Sequence, residues 1–249
     1  KKAEYQISIA GYVSEIVVLE KSFVPKVPIS PRRRLVLFGS LMVAIVLSFG
    51  LILLRYLFFN DITNVSDIIK YTDTPVIGII PKYKKDIPIS QLIVDHKPKS
   101  LIAEALRSVR TNLQFISNEP GPKLIAVSST ISGEGKTFVA INLAGVLAFS
   151  EKKVIIMDFD LRKPKIHLGF GVDNKKGIST ILMGLNTFEE CIQHSTIEHL
   201  DFITAGPVAP NPSELMLNPR MLELIDFLKT KYDYILIDNA PIGIVTDGM

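Results

Sequence analysis

The stretch Leu124 to Thr137, LIAVSSTISGEGKT, constrains this chain more than any other. An apolar run, Leu124 to Val127, passes into small polar residues and two glycines, and Gly135-Lys136-Thr137 opens a helical segment over Phe138 to Phe149. A strand, a glycine-bearing loop ending in Lys-Thr and a helix are the layout of a phosphate-binding loop. Gly133 and Gly135 can take backbone angles closed to other residues, which lets the main chain approach a ligand. Their N–H groups, with those at the helix start, form a cradle for anionic oxygens. Ser132, Gly133, Glu134, Gly135, Lys136, Thr137 and Phe138 are therefore the expected nucleotide-binding residues. Lys136 is suited to the β- and γ-phosphates of ATP, and the Thr137 hydroxyl to Mg²⁺. Thr130 stands where the strict pattern has glycine.

Two strand ends complete the pattern. Lys153 to Asp158, KVIIMD, is too uniformly apolar for a half-exposed edge strand and leads into Asp158-Phe159-Asp160. Carboxylates at i and i+2 after a strand emerge where ligands sit in doubly wound α/β folds. Tyr234 to Asp238, YILID, ends a hydrophobic run on an aspartate, a Walker B pattern that makes Asp238 a metal-facing candidate. Leu200 to Thr204 reads as a further short strand, and Ser213 and Pro219 as the starts of two helices. The alternation of strands and helices between residues 123 and 238 predicts right-handed crossovers and a mostly parallel, doubly wound α/β sheet.

Leu101 to Ile116 reads as an amphipathic helix capped by Ser100. Ile102, Leu106, Val109, Leu113 and Ile116 form one apolar stripe, and Glu104, Arg107 and Arg110 lie opposite it. By spacing alone, that charged face is a solvated surface with an i,i+3 ion pair. Earlier in the chain, Val65 to Tyr71 reads as a short helix and Thr74 to Pro81, TPVIGIIP, as a short strand closed by prolines. Lys82 to His96 reads as a polar loop. His96, His167, His194 and His199 show no metal-ligand spacing.

Leu35 to Leu54 is twenty residues without a charge, bracketed by Arg32-Arg33-Arg34 and Arg55. At 1.5 Å per residue such a run spans about 30 Å, the thickness of bilayer hydrocarbon. It predicts one transmembrane helix. Before it, short alternations within residues 1–20 read as strand-like, and Phe23 to Pro31 carries a proline every third residue, an extended spacer. Residues 1–34 hold seven Lys/Arg and three Glu, a charge of +4, whereas the remainder holds 21 basic and 22 acidic residues, a charge of −1. The basicity belongs to a juxtamembrane arm, which excludes a nucleic-acid surface. Counting Lys and Arg near each end (Lys21, Lys26, Arg32, Arg33 and Arg34 against Arg55 and Lys70) would put that arm in the cytoplasm. A nucleotide site at Lys136 requires the opposite, and the expected topology follows the nucleotide: residues 55–249 face the cytoplasm. One cysteine, Cys191, excludes an intrachain disulfide and a cysteine-based metal cluster. A start at Lys1 and a stop at Met249 within a pattern lead us to expect a fragment.

Taken in order, the span, TPVIGIIP, EALRSVRTN, SSTISGEGKT, IIMDFDLRKP, GPVAPNPSELM and ILIDNAP resemble the bacterial tyrosine kinases that accompany polysaccharide chain-length-determinant membrane proteins. The resemblance covers about Ser30 to Met249 and implies a P-loop α/β domain similar to MinD/ParA-type ATPases, without the extra early lysine of their loop. It implies Lys136 and Thr137 as the Walker A pair, Asp158 and Asp160 as the second acidic motif, and Asp238 as Walker B. A tyrosine hydroxyl gains from a nearby carboxylate as proton acceptor, and Asp158 is our candidate for it, with Asp160 assisting or positioning metal. It also implies that Glu104, Arg107 and Arg110 are an interface joining kinase domains into a homo-oligomeric ring. A proline is common in the family where Ile131 or Ser132 lies, and Asn239-Ala240 replaces Thr-Pro. The implied activity is ATP- and Mg²⁺-dependent tyrosine phosphorylation at the bacterial inner membrane. The implied partners are the polysaccharide synthesis and export machinery, with a tyrosine phosphatase as counterpart. Two other readings stay open: a partition-type ATPase without kinase activity, and a membrane scaffold for chain-length control that binds nucleotide only for assembly. The expected organisation is an extracytoplasmic arm (1–34), the span (35–54), a cytoplasmic linker with a short strand (55–97) and the P-loop domain (98–249).

Overall fold

Strands that are apolar on both faces need cover on both, and that requirement organises the larger part of the molecule. The computed structural model describes residues 30–58, 64–83, 92–116 and 119–242, and the chain divides into two units, Lys1–Tyr71 and Thr72–Met249. The strand-like stretches within 1–20, most of the proline spacer and residues 84–91 of the expected loop lie outside the described residues.

The first unit contributes helices α1 (Arg33–Phe58) and α2 (Val65–Ile69). Helix α1 has 26 residues, about 39 Å at 1.5 Å per residue, and none of them is buried. It continues past both ends of the uncharged run because arginine is a good helix former. Its large apolar side chains from Leu35 to Leu54 are all exposed, a surface suited to hydrocarbon rather than water.

The second unit contains, in order, α3 (Ile93–His96), α4 (Leu101–Ile116), β1 (Lys123–Val127), α5 (Lys136–Ala148), β2 (Val154–Asp158), α6 (Ile166–Phe170), α7 (Ile178–Leu182), α8 (Phe188–Cys191), β3 (Gln193–His194), β4 (Leu200–Ile203), α9 (Pro212–Met216), α10 (Arg220–Lys229) and β5 (Tyr234–Asp238). Among the described residues the sheet order is β1-β5-β2-β4-β3. The first four are parallel, and β3 runs antiparallel to β4. Side chains alternate across the central strand. Val154 and Ile156 enter a core with Leu106 of α4 and Leu147 of α5, while Ile155 and Met157 enter a second core with Ile181 of α7 and Leu228 of α10. The sheet is doubly wound, as expected. Strand β2 is buried throughout, whereas β1, the outer strand, alternates and leaves Leu124 47% exposed.

Helix α4 begins as its sequence predicts, with the Ala103 N–H donating to Ser100 Oγ at 3.2 Å. Ile102, Leu106 and Val109 are buried, but Ile116 at the last turn is exposed. Three local expectations need correction. Thr74 to Pro81 is not a strand: the segment has no ladder partner among the described residues, and it packs Ile77 and Ile80 against the first core. Prolines at 75 and 81 remove an N–H from each end, and the Ile77 carbonyl accepts instead from Asn112 Nδ2 of α4 at 2.7 Å. The expected loop ending at His96 contains core: Leu92, Ile93 and Val94 are buried, and the Val94 N–H donates to Asn142 Oδ1 of α5 at 3.1 Å. Ser213 does not cap α9, which begins one residue earlier at Pro212, a residue that needs no hydrogen-bond acceptor there.

Candidate active site

Parallel strands deliver their carboxyl ends to one edge of the sheet, and here register puts three of those ends in a row. Val127 of β1 pairs with Asp238 of β5, and Asp238 pairs in turn with Asp158 of β2. From Val127 the chain enters the loop over residues 128–135, with φ of 98° at Gly133 and 95° at Gly135. The left-handed turn at Gly135 directs the backbone into α5, whose first residues are Lys136 and Thr137. The loop is tied to the segment after β5: Asn239 N–H donates to Val127 O at 3.0 Å, and Ile242 N–H to Ser129 O at 2.9 Å.

Lys136 Nζ lies 3.0 Å from Asp238 Oδ1 and 3.3 Å from Asp160 Oδ2. Thr137 Oγ1 donates to Asp238 Oδ2 at 2.6 Å. These groups are nearly dry, with side-chain exposures of 10% for Lys136 and Asp160 and 0% for Asp238. Burial pushes the Asp238 pKa up, opposed by the Thr137 hydroxyl and then the Lys136 ammonium. A hydroxyl and a carboxylate side by side are hard oxygen donors, and they fit a hard cation such as Mg²⁺.

Asp158 is fully buried. Its Oδ1 accepts from the Asp160 N–H at 3.1 Å, and its Oδ2 from the Lys165 and Ile166 N–H groups, both at 3.0 Å. Asp160 Oδ1 accepts in turn from the Lys163 N–H at 3.0 Å. Burial pushes the Asp158 pKa up to about 7, the Asp238 carboxylate adds to this, and the three backbone donors oppose it. Asp158 thus shapes the loop that aims Asp160 at Lys136.

The structure brings together Gly135, Lys136, Thr137, Asp158, Asp160 and Asp238. Ser132 and Gly133 are exposed on the loop. Glu134 turns back onto the loop's own first arm, its Oε2 accepting from the Thr130 N–H at 2.9 Å. Phe138 offers its backbone to the helix start, while its ring packs in the first core, 6.3 Å between centroids from Tyr83. Glu104, Arg107 and Arg110 stand apart on α4. Arg107 pairs with Glu104, as the i,i+3 spacing predicts, and donates to Pro98 O at 2.7 Å. Arg110 is partly buried and reaches Val146 O of α5 at 3.4 Å. Sequence reasoning missed Asn142, which ties α3 to the helix of the phosphate loop through Val94 N–H and donates to Phe138 O at 2.9 Å. The signal was there: Asn142 is polar within an otherwise apolar run, Phe138 to Phe149.

Residues 122–247 match a family described as AAA domain. The chain is 33% identical to the tyrosine-protein kinase wzc of Salmonella typhi, an alignment covering all of this chain and 36% of that protein. The solved structure of the chimerical protein CapA2B2 is 36% identical with a TM-score of 0.67, over 74% of this chain and 78% of that one. The kinase domain of the Escherichia coli tyrosine kinase ETK is 34% identical with a TM-score of 0.64, over 69% of this chain and 71% of that one. The chain belongs to the bacterial tyrosine kinases. It has a P-loop α/β fold, and among the described residues one helix is apolar and long enough to cross a membrane. It spans about a third of the length of full-length relatives such as wzc.

Proposed function

We propose that this chain is the membrane-anchored catalytic part of a protein-tyrosine kinase that transfers the γ-phosphoryl group of ATP to a tyrosine hydroxyl, on another copy of itself or on a partner. The observation that carries this reading is the convergence of Lys136, Thr137, Asp160 and Asp238 beside a glycine-bearing loop at the carboxyl edge of the sheet. Phosphoryl transfer needs alignment and charge neutralisation more than covalent chemistry. The loop amides and Lys136 balance the triphosphate, and the carboxylates that now hold the Lys136 ammonium keep it inside the site. Thr137 and Asp238 would hold a Mg²⁺ ion, which would supply further neutralisation of phosphate oxygens. In the transfer, the bond from the γ-phosphorus to the β–γ bridging oxygen breaks, a bond to the tyrosine oxygen forms, and ADP leaves. The phenolic proton passes to a carboxylate, for which Asp158 is proposed, with Asp160 positioning the donor side. A pKa raised to about 7 suits an acceptor working near neutral pH.

The same reading puts residues 55–249 in the cytoplasm of a bacterial inner membrane, where ATP is available. It assigns Glu104, Arg107 and Arg110 to contacts between copies in a ring, with Glu104 exposed for it, Arg107 half-buried beside it and Arg110 braced on the helix of the phosphate loop. By the family resemblance, the kinase regulates exopolysaccharide or capsule synthesis and export, and a tyrosine phosphatase reverses it. The test is a phosphotyrosine immunoblot of the purified protein, extended to full length, after addition of ATP and Mg²⁺. Phosphotyrosine is expected in the unaltered protein and its loss in Lys136→Met; phosphorylation retained in that variant overturns the assignment.

A further inference from the structure

An acidic side chain inside a loop that receives a polyanion presents a conflict. Glu134 lies between Gly133 and Gly135, and a carboxylate near a phosphate charge opposes it. The structure resolves the conflict by folding the side chain backward. Glu134 Oε2 accepts from the Thr130 N–H at 2.9 Å and from the Ile131 N–H at 3.4 Å. A second tie lies within the same arm, Ser129 Oγ donating to Ile131 O at 3.0 Å. The first position of the loop is Thr130, where the strict pattern has glycine.

We propose that Glu134 is a positioning residue for nucleotide binding, a side-chain staple that closes residues 130–134 into a ring and fixes the phosphate loop's shape. The proposal rests on the nucleotide-binding reading above and deepens it. Without the staple, the Thr130 and Ile131 N–H groups lose their acceptor, and the arm leading to Gly133 and Gly135 is free to move. Ordering that arm is then charged against binding. The charge of Glu134 is incidental to the role: what matters is an acceptor at the end of a side chain of this length. Glutamine keeps that acceptor and alanine removes it.

The experiment measures binding of a fluorescent ATP analogue with Mg²⁺ to the whole chain in detergent micelles, for the unaltered protein, Glu134→Ala and Glu134→Gln. Amide hydrogen exchange at Thr130 and Ile131 is followed without nucleotide. Loss of a hydrogen bond worth about 1 kcal/mol predicts roughly fivefold weaker binding for Glu134→Ala. Exchange at both amides is expected to accelerate by a similar factor. Glu134→Gln is expected to recover affinity to within about twofold of the unaltered protein, since the glutamine oxygen can accept from the same N–H groups. Glu134→Ala binding as tightly as the unaltered protein, with unchanged exchange, overturns the staple. So does Glu134→Gln as weak as Glu134→Ala, which would make the charge itself the contributor. If the unaltered protein binds no nucleotide, the functional reading fails, and the exchange data still decide whether the staple exists.

Discussion

Removing the ammonium of Lys136 should destabilise the protein in a way that depends on pH. Its Nζ sits between Asp238 Oδ1 at 3.0 Å and Asp160 Oδ2 at 3.3 Å, and the Asp238 side chain has no exposure to water. In Lys136→Met the two carboxylates share a dry pocket with no counter-charge. Leaving them ionised costs about 3–5 kcal/mol, the usual penalty for breaking a buried pair from one side. The alternative is for Asp238 to take up a proton. Against an unfolded pKa of about 3.9, that costs about 1.4 kcal/mol per pH unit, or about 4 kcal/mol at pH 7 and about 1.5 kcal/mol at pH 5. The sign follows from proton counting. The variant's native state holds a proton that its unfolded state has released above pH ~4, so its stability falls as pH rises until the folded pKa of Asp238 is passed. Burial already raises the Asp238 pKa in the unaltered protein, so part of this cost is common to both; the deficit should grow from pH 5 to pH 7 and stay below about 4 kcal/mol. Urea unfolding of both proteins in micelles without nucleotide, followed by circular dichroism at pH 5, 6 and 7, measures it. A deficit that is the same at all three values, or no deficit, refutes the pairing.

Other perturbations test other parts of the structure. Asp158, with its pKa raised to about 7 by burial, contributes stability that is full below the unfolded pKa and lost as pH rises through 7. Asp158→Asn should remove a slope of about 1.4 kcal/mol per pH unit between pH 5 and 7 from the urea-unfolding free energies. Asn142→Ala strips the acceptor from the buried Val94 N–H and a donor from Phe138 O, and should cost about 2–3 kcal/mol by the same assay. Gly177→Ala would bring a Cβ to 2.0 Å from Thr204 O and 2.6 Å from Gly206 N. Both neighbours are backbone, so a loss on the order of 3 kcal/mol or outright misfolding is expected, read as soluble yield and midpoint. Replacing Glu104, Arg107 and Arg110 together by alanine should dissociate any ring in sedimentation while leaving nucleotide affinity near that of the unaltered protein.

Much of the architecture can be read from the chain because the signals involved are local. Uniform apolarity in KVIIMD and YILID requires strands covered on both faces, and Gly135 before Lys-Thr requires a turn into a helix. An uncharged twenty-residue run fixes α1 whatever surrounds it. The candidate site follows from the same patterns, since a parallel sheet brings the residues that end its strands to one edge. Side-chain partners do not follow, because hydrogen bonds between distant segments depend on packing that no short window encodes. TPVIGIIP has the composition of a strand, yet α4 rather than a neighbouring strand supplies its partner. Leu92 to Val94 ends a stretch that reads as polar loop, and only its dock on Asn142 makes it core. Sequence alone determined the long apolar helix, the doubly wound sheet and the glycine-bearing loop. Tertiary structure decided that Asp158 serves three backbone amides while Asp160 and Asp238 hold Lys136, because buried charge settles wherever folding leaves a donor within reach.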